Sequence, residues 1–385
     1  MDLTELRGQI DELDEQLAEL LCKRMDCSAG VAAYKAAHGL PVLNADREAE
    51  VLRQVQEQIR TKRPEAAGYP EAAALVFATM MDSSRALQHR RMGAGEALRQ
   101  EIAAAQKQPL ITDTTRVACA GCAGAFAHKA AVTMFPFCEK EGREPLFVSS
   151  FADVFAAVED GTVDYGVVPV ENSSTGSVNE VFDLILAHRF SIVAAAVVEV
   201  HHCLMALPEA TQITDVYSHH QALSQCQEYI AVHGLSAHTY ANTAMAAEMV
   251  AHSGNSSIGA IASEQAARLY GLKVLEQDIQ SIPHNCTRFI AISKTAVIPP
   301  EADKISLIFS IPHTTGSLYR TLSRFAIEGL NLTKIESRPM RTGDFEYAFY
   351  LDFEGSVDRE ETRELLCALS EEMPQFTLLG NYHEW

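Results

Sequence analysis

Long apolar runs and positive charge are what this 385-residue chain has least of. Although 47% of its residues are apolar, no stretch approaches the roughly 18 consecutive apolar residues of a membrane span. The opening segment, MDLTELRGQIDELDEQ, is charged from residue 2, which excludes a secretory apolar segment there. Lys and Arg number 31 against 51 Asp and Glu, a formal net charge of −20. So acidic a chain is unsuited to neutralising phosphates, which excludes non-specific nucleic-acid binding. A site for an anionic substrate must then gather Arg and Lys locally, against a repulsive overall field. Nine cysteines, an odd number and scattered, fit reduced thiols and a cytoplasmic location better than a disulfide framework. Internal repeats are also missing.

What is present divides into segments. Leu3, Leu6, Ile10, Leu13, Leu17, Leu20 and Leu21 fall at steps of three and four, predicting one helix over residues 2–37, stopped by His38-Gly39-Leu40-Pro41. Such a helix is about 50 Å long, against about 30 Å for a domain of this size, so a partner chain is expected to cover its overhanging end. Further helices are expected from about Asp46 to Lys62 and Pro70 to Arg90. Residues 92–113 are Ala/Gln-rich and read as a partly helical linker. From Thr115 short apolar runs alternate with helical patterns, predicting an α/β layout with a mostly parallel sheet. After Pro299-Pro300 the order is strand (Lys304–Ile311), helix (Gly316–Glu328), strand (Asn331–Pro339), strand (Phe345–Phe353), helix (Arg359–Ser370), strand (Thr377–His383), the βαββαβ order of a ferredoxin-like unit.

In the first segment Arg24 and Lys35 stand eleven residues apart, about 20° in rotation and three turns in rise. They share a face and can grip opposite ends of a small dianion. Arg7 is rotated about 100° from Arg24, so it suits a partner's site better than its own. Arg47 and Glu48 open the second helix; Ser84 and Gln88 share a face of the third at i, i+4. Taken singly, each charge would read as a solvated helix surface. As a set, LRGQIDELDEQLAELLCKR, Lys35, NADRE, Ser84 and Gln88 resemble the all-helical chorismate mutases, intertwined homodimers that share a long helix between two sites. The resemblance implies catalytic roles for Arg7 from the partner chain, Arg24, Lys35, Arg47, Glu48, Ser84 and Gln88. The reaction is a pericyclic rearrangement that needs no nucleophile or cofactor. A site must hold the diaxial conformer and stabilise negative charge on the ether oxygen as the C–O bond breaks. Arginines on the carboxylates, Lys35 and Gln88 at the ether oxygen and Glu48 at the substrate hydroxyl meet that need. Asn44 replaces a common Asp and is expected to serve as a helix N-cap.

The middle segment has a glycine-rich turn, GCAGAFAHKAA (121–131), a weak sign of an anion cradle in which the backbone N–H groups of Gly121 and Gly124 are available. Glu171 and Asn172 end one strand, Ser218 ends another, and Gln225 follows in the next helix. In open α/β sheets ligands bind beyond such strand ends; singly these residues read as caps and turns. GVVPVENSSTGS, SHHQALSQC and NCTRFIAI together resemble prephenate dehydratase over about residues 115–295. That resemblance implies two α/β lobes closing on the substrate, with the chain crossing between them twice. It places Thr287 at the leaving hydroxyl, with Glu171, Asn172, Ser218, Gln225 and Arg288 around the substrate. Ala120, Ala123 and Ala127 depart from the common Gln, Pro and Ser. Metal chemistry finds little support: Cys119-x₂-Cys122 lacks a second ligand pair, and His201-His202 and His219-His220 are neighbours that point to opposite strand faces.

The last segment, with TGSLY and ESRP, resembles the ACT domain of phenylalanine-sensitive dehydratases. The resemblance implies a dimer interface that binds phenylalanine through Gly316, Ser317, Leu318 and Glu336, Ser337, Arg338, Pro339; Thr315 and Ser317 replace a common Pro and Ala. The whole chain thus resembles the bifunctional chorismate mutase–prephenate dehydratases. The implied layout is a mutase bundle (1–91), a linker (92–113), a two-lobed dehydratase (114–298) and an ACT domain (301–385). Expected partners are chorismate, prephenate, phenylalanine as inhibitor and further copies of the chain, with no cofactor, metal, nucleic acid or membrane. An arogenate dehydratase, or a catalytically weak amino-acid sensor built from the same parts, are the alternatives.

Overall fold

The computed structural model describes residues 2–282, 284–339 and 347–385. Two compact units divide the chain: residues up to Ala104 with Leu307–Leu378, and Ala105–Ser306 with Leu379–Trp385.

The first unit begins with α1 (Leu3–His38), capped reciprocally by Asp2 and Glu5 and closed by Gly39 in the left-handed region. α2 (Ala45–Lys62) starts on Asn44, whose side chain accepts from the Arg47 N–H at 3.0 Å, the N-cap expected of it. α3 (Tyr69–Met92) follows. α1 buries only Ser28 and Ala32. Its apolar stripe from Leu3 to Leu21 stays exposed, Leu3 at 63% and Leu17 at 62%.

Residues 92–113 differ from the expected linker. α4 (Glu96–Ala105) is a packed helix that buries Leu98, Ile102 and Ala105, with Ala94 just before it. One small or branched residue per turn makes a narrow stripe, easily lost among surface Ala and Gln. The N-terminal end of α4 meets the C-terminal helix. A Cβ on Gly95, at φ 74°, would meet the Cys367 Cβ at 2.4 Å, Gly95 N–H donates to Glu371 at 2.6 Å, and Arg99 donates to Glu364 at 2.7 Å.

The second unit opens with β1 (Val117–Ala120), α5 (Phe126–Met134), β2 (Leu146–Val148), α6 (Phe151–Glu159), β3 (Tyr165–Asn172), β4 (Gly176–Ser177), α7 (Asn179–His188) and β5 (Ser191–Glu199). The chain then builds β6 (Cys203–Ala206), β7 (Asp215–Ser218), α8 (His220–Gln225), α9 (Gln227–Val232), β8 (Ser236–Thr239), α10 (Thr243–Ser253), β9 (Ile258–Ala262), α11 (Glu264–Tyr270) and β10 (Lys273–Glu276), and returns through β11 (Cys286–Ser293). Two sheets result, of orders β2-β1-β3-β11-β5 (β4 beside β3) and β10-β6-β9-β7-β8. Both are mixed, which corrects the mostly parallel expectation. β1 pairs in parallel with β2 and β3, and β7 with β8 and β9. β11 is antiparallel to both β3 and β5. The reason is connectivity: β5 leads the chain to the second sheet and β11 brings it back, so adjacent strands run in opposite senses. The near-continuous apolar run of β11 reflects burial on both faces.

The tail consists of β12 (Lys304–Ser310), α12 (Ser317–Ile327), β13 (Leu332–Pro339), β14 (Tyr347–Glu354), α13 (Glu360–Glu372) and β15 (Thr377–Tyr382), in a sheet of order β13-β14-β12-β15. This is the βαββαβ order expected. Phe345 and Glu346, which the sequence reading gave to the third strand, lie outside the described residues.

Candidate functional sites

The face shared by Arg24 and Lys35 lines a cavity of about 390 Å³ between α1, α2 and α3, together with Arg47, Glu48, Ser84 and Gln88. Arg24 donates to the Ser84 hydroxyl at 2.6 Å and to the Met80 carbonyl at 3.2 Å. Ser84 in turn donates to Met80 at 2.8 Å. Lys35 donates to the Val42 carbonyl. Burial lowers its pKa, Glu48 opposes the shift and Arg85 adds to it. Gln88 donates to Ser28 at 3.2 Å, while its buried amide oxygen has no partner among the described residues. An unpaired buried acceptor at a cavity wall costs stability unless a ligand or water answers it. Arg47 is exposed and pairs with Glu50 at 2.7 Å. Arg7 does not line the cavity; seventeen residues put it about 25 Å along the helix from Arg24.

Sequence reasoning missed two residues here. Ser28 is four residues from Arg24 on the same face, a spacing that would have found it. Arg85 carries no such signal. It is buried on α3 and pairs with Glu48, Asp82 and Glu372, so a carboxylate from α13 steadies the residue that aims Glu48. Arg320 of α12 donates to Asp82 at 2.7 and 3.0 Å. Burial alone would raise the Glu372 carboxyl. His89, 2.7 Å away, and the guanidinium groups of Arg324 and Arg85 outweigh burial and hold it at about 2. A carboxylate whose pKa is depressed on folding adds stability that is fully present above its unfolded value and is lost as pH falls through the folded one. Glu372→Gln is therefore expected to lower stability at neutral pH by roughly 3–5 kcal/mol, the range for breaking a buried pair. In thermal melts from pH 7 toward pH 2 the gap to wild type should narrow; a constant gap would refute the assignment.

The second constellation forms where β3 and β11 end side by side. Thr287 is paired with Asn172 in the ladder, and Asn172 Nδ2 donates to the Thr287 hydroxyl oxygen at 2.9 Å. Gln225 reaches across from α8, donating to Ser174 at 2.9 Å. Glu171 is in register with Ser177 and Arg288. Two expected residues stand elsewhere. Ser218 is fully buried and donates to the Ile261 carbonyl at 2.6 Å, so it ties β7 to β9. Arg288, next to Thr287 on β11, points to the opposite strand face; it pairs with Glu384 and donates to Tyr382 at 2.9 Å. The glycine-rich turn also departs from expectation. The Gly121 N–H donates to Val148 at 2.9 Å and the Gly124 N–H to His128 at 3.1 Å, so neither is available to an anion. Sequence reasoning passed over Asn285, although it begins the NCTRF motif, and weighed His202 only as a metal ligand.

A second cavity, about 690 Å³, lies at the start of α12 and is lined by Gly316, Ser317 and Leu318 with Tyr319, Tyr347 and Phe349. Gly316 precedes the helix at φ 82° with no side-chain cap. Glu336, Ser337, Arg338 and Pro339 are on β13, at the end of the sheet order, and do not line this cavity. Among the described residues no cluster of His, Cys, Asp and Glu could hold a metal ion, and no helix is long and apolar enough to cross a membrane.

A family model described as chorismate mutase type II matches residues 6–89, and one described as prephenate dehydratase matches residues 117–297. The chain is 32% identical to a bifunctional chorismate mutase/prephenate dehydratase of Aquifex aeolicus, over 99% of this chain and 98% of that one. It is 38% identical to arogenate dehydratase/prephenate dehydratase 2 of Arabidopsis thaliana, over 69% of this chain and 72% of that one. Among solved structures, prephenate dehydratase from Arthrobacter aurescens in complex with L-Phe is similar at a TM-score of 0.61 and 26% identity, covering 70% of this chain and 89% of that one.

Proposed function

The chain belongs to the bifunctional chorismate mutase/prephenate dehydratases, and from that premise we propose how its residues perform and regulate the two reactions of phenylalanine biosynthesis. In the first, chorismate rearranges to prephenate in the α1–α3 cavity. What supports this most is that Arg24, Lys35, Arg47, Glu48, Ser84 and Gln88 all line one cavity. Arg24 and Arg47 take the carboxylates, Lys35 and Gln88 face the ether oxygen, and Glu48, aimed by Arg85, meets the hydroxyl. The lowered Lys35 pKa has the physical sense that an ammonium short of water gains more from a developing oxyanion.

The chain works as a homodimer in which the exposed stripe of α1 is covered by a second copy and the partner's Arg7 completes each cavity. Mixing Arg7→Ala chains with Arg24→Ala chains is expected to restore mutase activity, because a mixed dimer has one cavity with both residues intact. Mixed dimers that form and stay inactive would refute the shared site.

In the second reaction prephenate loses CO₂ and its hydroxyl to give phenylpyruvate, with Thr287 hydrogen-bonding the leaving hydroxyl. Glu171, Asn172 and Gln225 stand nearby; Arg288, paired with Glu384, is held away from this group and Ser218 is enclosed. Phenylalanine binds at the N-terminus of α12, where first-turn N–H groups after that of Ser317, which donates to the Thr314 carbonyl at 3.2 Å, suit its carboxylate. In the dimer Glu336–Pro339 of an ACT partner close the site. The location is the cytoplasm, in keeping with nine unpaired thiols.

Assaying purified protein with chorismate, prephenate and arogenate, each with and without phenylalanine, tests the whole reading. Turnover of chorismate and prephenate is expected, with dehydration inhibited by phenylalanine. Gly316→Val should blunt the inhibition, because φ 82° disfavours a branched residue; Ser337→Ala should do so more mildly. A dehydration rate that stays flat in phenylalanine would overturn the sensing role, and arogenate consumed faster than prephenate would reassign the substrate.

A further inference from the structure

Resting on the reading of Thr287 just given, the hydrogen bonds behind it can be followed proton by proton. Thr287 Oγ1 accepts from Asn172 Nδ2 at 2.9 Å, and its own proton finds no acceptor among the described residues. Which way the Asn172 amide faces is decided by its surroundings. The backbone N–H groups of Ser174 and Thr175 lie 3.0 and 3.2 Å from its oxygen, and a backbone N–H can only donate. The Asn172 oxygen must face them, so its nitrogen must face Thr287.

That single constraint sets every other amide in the group. Asn172 Nδ2 also donates to Asn285 Oδ1 at 2.8 Å. The Asn285 nitrogen therefore faces Gln225, donating to its oxygen at 3.1 Å. The Gln225 nitrogen then donates to the Ser174 hydroxyl at 2.9 Å, and Ser174 donates to Asn172 Oδ1 at 2.6 Å. Four side chains thus form a closed ring in which every proton points the same way round, an arrangement whose members polarise one another cooperatively. His202 joins from outside: its Nε2 is 2.9 Å from Gln225 Oε1, which already accepts from Asn285. His202 must therefore carry its proton on Nε2, and its buried Nδ1 has no partner among the described residues. Burial lowers its pKa, consistent with a neutral ring. The ring draws on β3 and the loop after it, on α8, and on the segment returning to β11, while His202 sits where the chain leaves for the second sheet.

We infer that Asn285 and His202 are positioning residues for dehydration: by completing this one-way ring they hold Asn172 and Gln225, and so keep the Thr287 hydroxyl proton directed at the substrate. Neither touches the reacting atoms. Without Asn285 the Asn172 amide loses its shortest acceptor, at 2.8 Å, and can shift toward the Cys286 carbonyl at 3.2 Å and away from Thr287; without His202 the Gln225 amide can turn and reverse its link to Ser174.

The test uses the full-length protein with added prephenate. Asn285→Leu and His202→Leu are each expected to lower kcat by about 10–100-fold, in keeping with the roughly 10²-fold effect of a 1 Å misplacement. KM should move little, and His202→Gln, whose amide nitrogen can replace Nε2 as donor, should recover most of the rate. Asn285→Asp keeps the volume and serves in place of a Leu variant that fails to fold; it removes the donor to Gln225 and should show the same loss in kcat. Leu and Asp variants that fold, judged by near-UV circular dichroism, and retain kcat within about threefold of wild type, well under the lost-donor range, would overturn the inference. So would a change in KM alone, or a His202→Gln variant no better than Leu. Thr287→Val measured alongside separates the levels: if it keeps its rate, the reading of Thr287 itself fails; if it is inactive while the ring variants are not, only the positioning role fails.

Discussion

Arg24→Ala is expected to abolish chorismate rearrangement while added prephenate is still dehydrated at close to the wild-type rate. Arg24 is half-buried on the cavity face of α1, and its guanidinium is steadied by Ser84 and the Met80 carbonyl. In its proposed role on a substrate carboxylate it is thereby preorganised rather than recruited on binding. Losing one preorganised group of this kind costs about 10²–10³ in rate, and a charged clamp on a dianion stands at the upper end. Arg24→Lys keeps the charge but not the planar fork, so it should recover only part of the activity. Dehydration should survive because Arg24 and the Thr287 group belong to different compact units, each with its own packed interior. The measurement is the initial rate of each reaction on one purified preparation. Equal loss of both activities in a well-folded Arg24→Ala variant would refute independent sites.

Much of this was legible in the sequence, for physical reasons that differ by element. The helices of the first unit announced themselves because amphipathic spacing and capping act locally: Gly39 ends α1 and Asn44 begins α2, as their chemistry dictates. Arg24, Lys35, Ser84 and Gln88 could be placed on shared faces because helical geometry alone relates them. Arg85 could not. Asp82 is a local partner at i, i+3, but such spacing is common on helix surfaces; Glu48 and Glu372, which make the pair a buried network, are 37 and 287 residues away. For the same reason α4 read as a linker, since the wall it packs on, around Cys367, comes from the far end of the chain. The sheets looked parallel because buried strands are uniformly apolar in either sense; only the return of β11 beside β5 decides the direction. The resemblance groups Arg288 with Thr287, yet neighbours on a strand point to opposite faces, and Arg288 pairs with Glu384. Likewise the glycines at 121 and 124 kept their N–H groups in the sequence reading but had already given them to Val148 and His128 in the fold.

The sharpest expectation concerns Thr287, where hydroxyl and side-chain volume can be separated. Thr287→Val keeps the shape and removes the hydroxyl proton, which finds no acceptor among the described residues, and kcat for prephenate is expected to fall by about 10²–10³. Thr287→Ser keeps the donor and should retain far more of the rate, losing only what a missing methyl and a freer rotamer take. Expulsion of CO₂ and hydroxide is driven by aromatisation of the ring, so an aligned hydrogen bond to the departing oxygen suffices; a full proton transfer from a group as weakly acidic as threonine is unnecessary. If instead Thr287 served only the β3–β11 junction, Val would forfeit its bond to Asn172 and lower stability by roughly 1 kcal/mol, with turnover of the folded fraction nearly unchanged. Measuring kcat of both variants at matched folded concentration decides between these. A Val variant within about threefold of wild type lies well below the effect of a lost donor and would remove Thr287 from the reacting group.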